Sequence, residues 1–217
     1  MLATVSGYIL LGLSIAAPIG PINIEIIKRG LVYGFWAALL VGAGGISSDL
    51  ALMALMFFGL SQVMTLVWVK ISLTMLGCFI LIHSGVNNLR VTQDMNRAEE
   101  GGDRHGRVKI RSYLSGVTIA ASNPMNLLFW LGIYGSVLSG VLQQSNHLQS
   151  FFISSLVFIG IALWNLNLAF TVHFGRLLMN ASIMKGVNII ASFVLIGFGV
   201  KFGWMGVKEL VEVVGRN

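Results

Sequence analysis

Gly12-Leu13-Ser14-Ile15-Ala16-Ala17-Pro18-Ile19-Gly20-Pro21-Ile22-Asn23 reads as an apolar helix that runs into two prolines flanking a glycine. Proline removes a backbone donor and clashes with the turn before it, so the helix unwinds at 17–21. Unwinding frees carbonyls on one side of the break and amides on the other. A second stretch repeats the first. Gly116-Val117-Thr118-Ile119-Ala120-Ala121 matches Gly12 to Ala17 at four positions and is conservative at the other two. Past a one-residue gap, Pro124-Met125-Asn126 lines up with Pro21-Ile22-Asn23.

Around these stretches the chain is apolar. Of its 217 residues 56% are hydrophobic and 10% charged, with a mean hydropathy of +0.84. A soluble domain carries about 25% charged residues, so this chain could not cover a water-facing surface. Runs of about 20 apolar residues mark spanning helices. Six fall at roughly 4–27, 34–60, 65–88, 113–140, 149–173 and 186–207. The expectation is an all-α integral membrane protein: six transmembrane helices in two three-helix halves, 1–89 and 113–217, joined by a linker at 90–112. An odd number of helices per half makes the second half enter the membrane from the opposite side, an inverted repeat. The first and fourth helices are the ones broken at proline.

The basic residues set the orientation. Ten of the 14 lie in the first, third and fifth loops, from Lys28 and Arg29 through the Arg90–Arg111 stretch to Arg176 and Lys185. The positive-inside rule places these loops, the 90–112 linker included, in the cytoplasm and both termini outside. Lys70 and Lys201 snorkel to the outer interface. The net charge of +6 therefore reads as topology, with no aromatic-interleaved patch for nucleic acid. The first apolar stretch has no Lys or Arg before it, and a proline would follow its Ala16-Ala17 cut. It is expected to be a retained helix, not a signal peptide. Cys78 is the single cysteine, which excludes an intrachain disulfide, a thiolate zinc site and dithiol carriers.

Lipid cannot satisfy freed backbone groups, so each break must face protein or a watery cavity. A freed helix N-terminus suits a carboxylate, and freed carbonyls suit an ammonium. Two breaks meeting near mid-membrane would make a site for a zwitterion. Its candidate residues are Pro18, Gly20, Pro21, Asn23, Asn123, Pro124, Asn126 and Asn165. Ionisable residues inside a membrane mark substrate or ion pathways. Asp49, midway along the second span and after Gly42, Gly44 and Gly45, could carry a coupling proton or hold the substrate ammonium. Asn165 falls roughly where the repeat places its counterpart. Glu25 precedes Lys28 and Arg29 by three and four residues, which fits an interfacial ion pair as well as a place in the proton pathway. His83 and His173 read as interfacial. Gly199-x-x-x-Gly203 is a small-residue face for a helix contact or a homodimer.

Ala17-Pro18-Ile19-Gly20-Pro21-Ile22-Asn23, the glycine-rich run from Gly42 to Asp49, and Asn123-Pro124 together resemble the lysine-exporter (LysE/RhtB-type) family over nearly the whole chain. The resemblance implies a secondary transporter that exports an amino acid across the bacterial cytoplasmic (inner) membrane by antiport with protons. It points to Pro18, Gly20, Pro21, Asn23, Asp49, Asn123 and Pro124. A basic substrate such as lysine is a candidate, but no residue decides among lysine, arginine, threonine, homoserine and leucine. The wider superfamily includes proteins assigned to metal efflux, so a divalent-cation exporter is the second reading. It ranks lower because Asp49, Glu25, His83 and His173 are scattered in depth. A non-transporting scaffold ranks third, since two matched breaks cost stability without structural return. With no nucleophile–base pair, phosphate loop or metal-ligand spacing, no enzyme, cofactor or resident metal is expected. The expected partners are the substrate, protons and lipid.

Overall fold

The computed structural model of the protein describes residues 2–56, 66–93, 104–123, 126, 130 and 147–215. Among them it is helical, without strands. In chain order the helices are α1 (Leu2–Ala16), α2 (Pro21–Tyr33), α3 (Phe35–Leu55), α4 (Val67–Gln93), α5 (Arg104–Ala121), α6 (His147–Ser155), α7 (Val157–Leu178) and α8 (Ala181–Val214). Four stretches are long and apolar enough to cross a membrane: Phe35–Leu55, Val67–Asn87, Phe151–Leu178 and Ser182–Val214. A fifth is the bent pair Val5–Ala16 and Pro21–Tyr33, whose halves meet at 75°. These correspond to the first, second, third, fifth and sixth expected spans. Most of the fourth beyond Asn123, Pro124 included, lies outside the described residues.

The first helix breaks where its prolines require. The last α1-type bond joins the Ala17 amide to the Leu13 carbonyl, and Pro21 then opens α2 at its first position. The chain turns from α2 into α3 through Gly34 at φ 86°, a left-handed conformation that glycine adopts without a Cβ penalty. Helices enter both ends of the stretch expected as a linker, 90–112. Helix α4 runs on to Gln93, and α5 starts at Arg104. Residues 104–112 contain no proline and several good helix formers, so a helix can begin there. Residues 94–103 lie outside the described set.

Helix α2 is the centre of the molecule, packed against α3, α5, α7 and α8. Around it the other helices pair as α1 with α7, α3 with α5, and α4 with α8. Ile26, Ala38, Val41 and Ala169 close the α2–α3–α7 contact. Ile24, Leu81, Ile119, Leu195 and Phe202 close the side toward α4, α5 and α8. Large apolar side chains such as Trp36, Phe79, Phe193 and Trp204 point outward, as a lipid solvent demands.

Two glycine crossings bring backbones into contact. A Cβ on Gly12 of α1 would strike the Val157 carbonyl of α7, and one on Gly116 of α5 would strike the Val41 carbonyl of α3. Seen from the partner helices, a Cβ on Gly160 would meet Ile9 O and Leu13 N, and one on Gly44 would meet Tyr113 O and Val117 N. The nearest backbone carbonyl and amide contacts of the two crossings thus correspond position for position. Gly199 and Gly203 of α8 face Cys78 and Ile82 of α4. The small-residue face considered for a homodimer is therefore spent on a contact inside the chain.

Candidate functional site

Gly20 enters α2 in an extended conformation and Pro21 takes its first position, where a missing amide costs nothing. The amides of Ile22 and Asn23 follow at positions without an intrahelical acceptor, and they give this end of α2 a partial positive charge. Asn23 folds its side-chain amide back onto the carbonyls of Ala16 and Pro18, both at 2.9 Å. Those carbonyls, freed by the break, were the expected partners of a substrate ammonium. Asn23 takes both and staples the break from within.

Helix α5 begins the expected fourth span. Helix α5 ends at Ala121, and the Asn123 amide closes a tighter turn onto the Ala120 carbonyl at 3.2 Å. Asn126 places its amide 3.5 Å from that carbonyl, echoing Asn23 on Ala16. The same amide donates to Asp49 Oδ1 on α3. Trp130, one turn on from Asn126, lies against the same carboxylate. On α7, Asn165 Nδ2 is 3.5 Å from the Gly42 carbonyl.

These groups surround one cavity of about 130 Å³. Asn23, Asp49, Asn123, Asn126 and Asn165 form its polar wall, and Pro18, Gly20 and Pro21 bring the helix break to it. The remaining wall is chiefly Ile15, Ile22, Ile46 and Ile161. A space of this size holds several waters or one small zwitterion. Every substrate-site residue expected from sequence and described in the structure lines it; Pro124 lies outside the described residues. Sequence reasoning missed the isoleucines and Trp130. Helical spacing carried a signal for three of these: Ile46 lies three before Asp49, Ile161 four before Asn165, and Trp130 four after Asn126.

Glu25 is elsewhere. It is fully buried and does not line the cavity. Lys28 Nζ lies 2.5 Å from Oε2 and Arg29 Nε 2.8 Å from Oε1. Ser115 of α5 donates to Oε1 at 2.8 Å and Ser84 of α4 to Oε2 at 3.3 Å. Arg29 also donates to Ser112 of α5 at 3.2 Å. The pairing agrees with the spacing in sequence; the depth does not, because three serines on other helices draw the pair into the bundle. His83 stacks on Phe79, and His173 sits against Phe35 and Phe174. Neither lines the cavity. Among the described residues no three His, Cys, Asp or Glu side chains gather together.

The family model for the LysE type translocator matches residues 13–206. The chain belongs to the LysE type translocator family. This LysE-type chain is 38% identical over 205 residues to the Bacillus subtilis (strain 168) protein named "Putative amino acid efflux protein YcgF", covering 94% of the chain and 97% of that relative. It is 32% identical over 164 residues to the "Chemotactic transduction protein ChpE" of Pseudomonas aeruginosa, covering 72% of the chain and 79% of that relative. No solved structure matches it. Membership and the apolar helices make the LysE-type chain a multi-pass membrane transporter.

Proposed function

We propose that this translocator exports an amino acid from the cytoplasm by proton-coupled alternating access, with the cavity at the helix breaks as its substrate site. One observation carries the reading: a helix N-terminus, a lone carboxylate and four amide side chains converge on one cavity. The substrate carboxylate sits at the amides opening α2, where backbone donors and the helix dipole favour an anion. The substrate ammonium sits at Asp49, because Asn23 has taken the carbonyls of Ala16 and Pro18. Asn126 fixes the orientation of that carboxylate. A proton arriving at Asp49 from outside neutralises it and removes the partner of the ammonium. Substrate leaves outward, and the proton is released to the cytoplasm.

Alternating access follows from an inverted repeat of 1–89 and 113–217, which we take to be the architecture. The two glycine crossings support it. Val41 and Val157, and Gly44 and Gly160, are each 116 positions apart and play the same part in the two crossings. Asp49 and Asn165 share that separation and face the same cavity. We place the arginine-rich 90–112 linker in the cytoplasm and both termini outside, on the positive-inside rule. The membrane is the bacterial cytoplasmic one.

Inverted membrane vesicles loaded under an imposed pH gradient test the reading with a panel of labelled amino acids and divalent cations. An amino acid moves with the gradient, and Asp49→Asn abolishes coupled movement while the protein remains folded and monodisperse. Unchanged proton-driven transport by that variant removes Asp49 from the mechanism, and movement of a divalent cation alone removes the amino acid.

A further inference from the structure

We propose that the cavity selects amino acids with an uncharged aliphatic side chain and rejects basic ones. The proposal rests on the export reading above and supplies its substrate class. It begins with the carboxylates. The chain has 8 Asp and Glu residues. Asp94, Glu99, Glu100 and Asp103 lie in sequence between α4 and α5, and Glu209 and Glu212 lie in the last turns of α8. Glu209 is half-buried with one oxygen out of solvent, but neither it nor Glu212 lines the cavity. Glu25 and Asp49 are the other two. Both oxygens of Glu25 are held by Lys28, Arg29, Ser84 and Ser115. Asp49 is thus the one carboxylate at the cavity wall among the described residues. The spans at 57–65 and 124–146 contain no Asp or Glu that could add another.

A bound zwitterion uses Asp49 for its α-ammonium. Lysine or arginine brings a second cation, and among the described residues no second carboxylate lines the cavity to meet it. Neutral amides can solvate such a cation but cannot offset its charge, and an unpaired cation deep in a membrane protein is costly. The groups that meet the side chain are Ile15, Ile22, Ile46 and Ile161. Ile15, Ile46 and Ile161, from α1, α3 and α7, belong to one hydrophobic cluster, and Ile22 of α2 adds a fourth aliphatic side chain to the wall. Burying aliphatic side-chain carbon against it is favourable. β-Branched residues are stiff at χ1, which gives the surface a fixed shape and a size limit.

The purified full chain in liposomes, preloaded with an unlabelled amino acid, is tested by counterflow of labelled leucine, isoleucine, valine, lysine and arginine. The aliphatic substrates exchange at least tenfold faster than the basic ones. Ile46→Ala widens the aliphatic end and shifts preference toward phenylalanine without admitting lysine. Ile161→Ala serves the same purpose should the first variant not fold. Lysine or arginine exchanging as fast as leucine overturns the proposal and leaves export standing. A widened cavity that takes lysine as readily as phenylalanine also overturns it, because size and not charge would then be the filter. Exchange of no amino acid by the folded protein overturns the export reading, and this inference with it.

Discussion

Replacing Glu25 with Gln tests the heart of the fold. The side chain keeps its size and one oxygen, so Ser115 and Arg29 retain an acceptor. What disappears is the negative charge beside Lys28 Nζ at 2.5 Å and Arg29 Nε at 2.8 Å. Lys28 is 6% exposed, and Ser84 Oγ at 3.1 Å would be its remaining neighbour among the contacts described here. Two unit charges 4 Å apart at an effective dielectric near 20 attract by about 4 kcal/mol. Stripping one partner from a buried pair costs about 3–5 kcal/mol. For a chain of this length each kcal/mol moves the melting midpoint by about 2–4 °C, so Glu25→Gln lowers it by roughly 6–20 °C. Lys28→Met alone costs less, because Glu25 keeps Arg29. The double variant recovers part of the loss, with a coupling of about 0.5–3 kcal/mol. Thermal denaturation of the four proteins in one detergent measures the cycle. A Glu25→Gln protein that melts within 2 °C of the parent (a shift on the order of 1 kcal/mol or less), or two variants whose effects simply add, would refute the claim that charge pairing holds α2 in the bundle.

The glycine crossings make a paired prediction. Gly116→Val and Gly12→Val each drive a side chain into a carbonyl of the facing helix and cost about 1–3 kcal/mol by overpacking. Gly7→Ala, with nothing within 4 Å of its Cβ, leaves stability unchanged or slightly raised; equal melting of all three would sink the close-approach argument. Asn23→Ala removes both hydrogen bonds that staple the first break and costs about 1–3 kcal/mol, read by thermal denaturation. It also lowers transport more than stability alone explains, checked by comparing rates well below the melting range; full activity there would show that the staple has no part in shaping the site.

Periodic features were legible in the sequence and paired features were not. The break at Pro18–Pro21, the apolar spans and the likeness of Gly12–Asn23 to Gly116–Asn126 follow from the chemistry of proline, glycine and lipid, all of which act locally. The polar part of the cavity wall was legible for the same reason, since breaks and buried polar groups have few places to go in a membrane; its isoleucines were not, because an apolar residue in a span carries no mark of what it faces. Asn23 taking the Ala16 and Pro18 carbonyls was hidden, because both it and an ammonium can satisfy them and only geometry decides. The serines around Glu25 were hidden too. Ser84, Ser112 and Ser115 lie 56 to 90 positions from their partners on α2, and a serine in a span carries no mark of its partner. The Gly199–Gly203 pattern left two outcomes open, and the face of α4 decided between them.

The two halves differ in a way that bears on direction. In the proposed inverted repeat Asn165 is the counterpart of Asp49, so only one of the two positions can accept a proton. Continuing the separation of Asn23 and Asn126, Glu25, Lys28 and Arg29 correspond to Leu128, Leu131 and Gly132. The ion cluster therefore exists in one half alone. It ties α2 to α4 and α5 through Ser84, Ser112 and Ser115. A two-fold scaffold with identical halves would open as readily to either side. In the proposed cycle the ionic ties brace one side of the cavity, and the sequence places no ionisable residue at the three counterpart positions. Breaking a buried charge network costs more than separating apolar side chains that lipid or substrate can re-cover. In that cycle the two access states are unequal in energy, and the proposed proton on Asp49, drawn down its gradient, returns the carrier from one to the other.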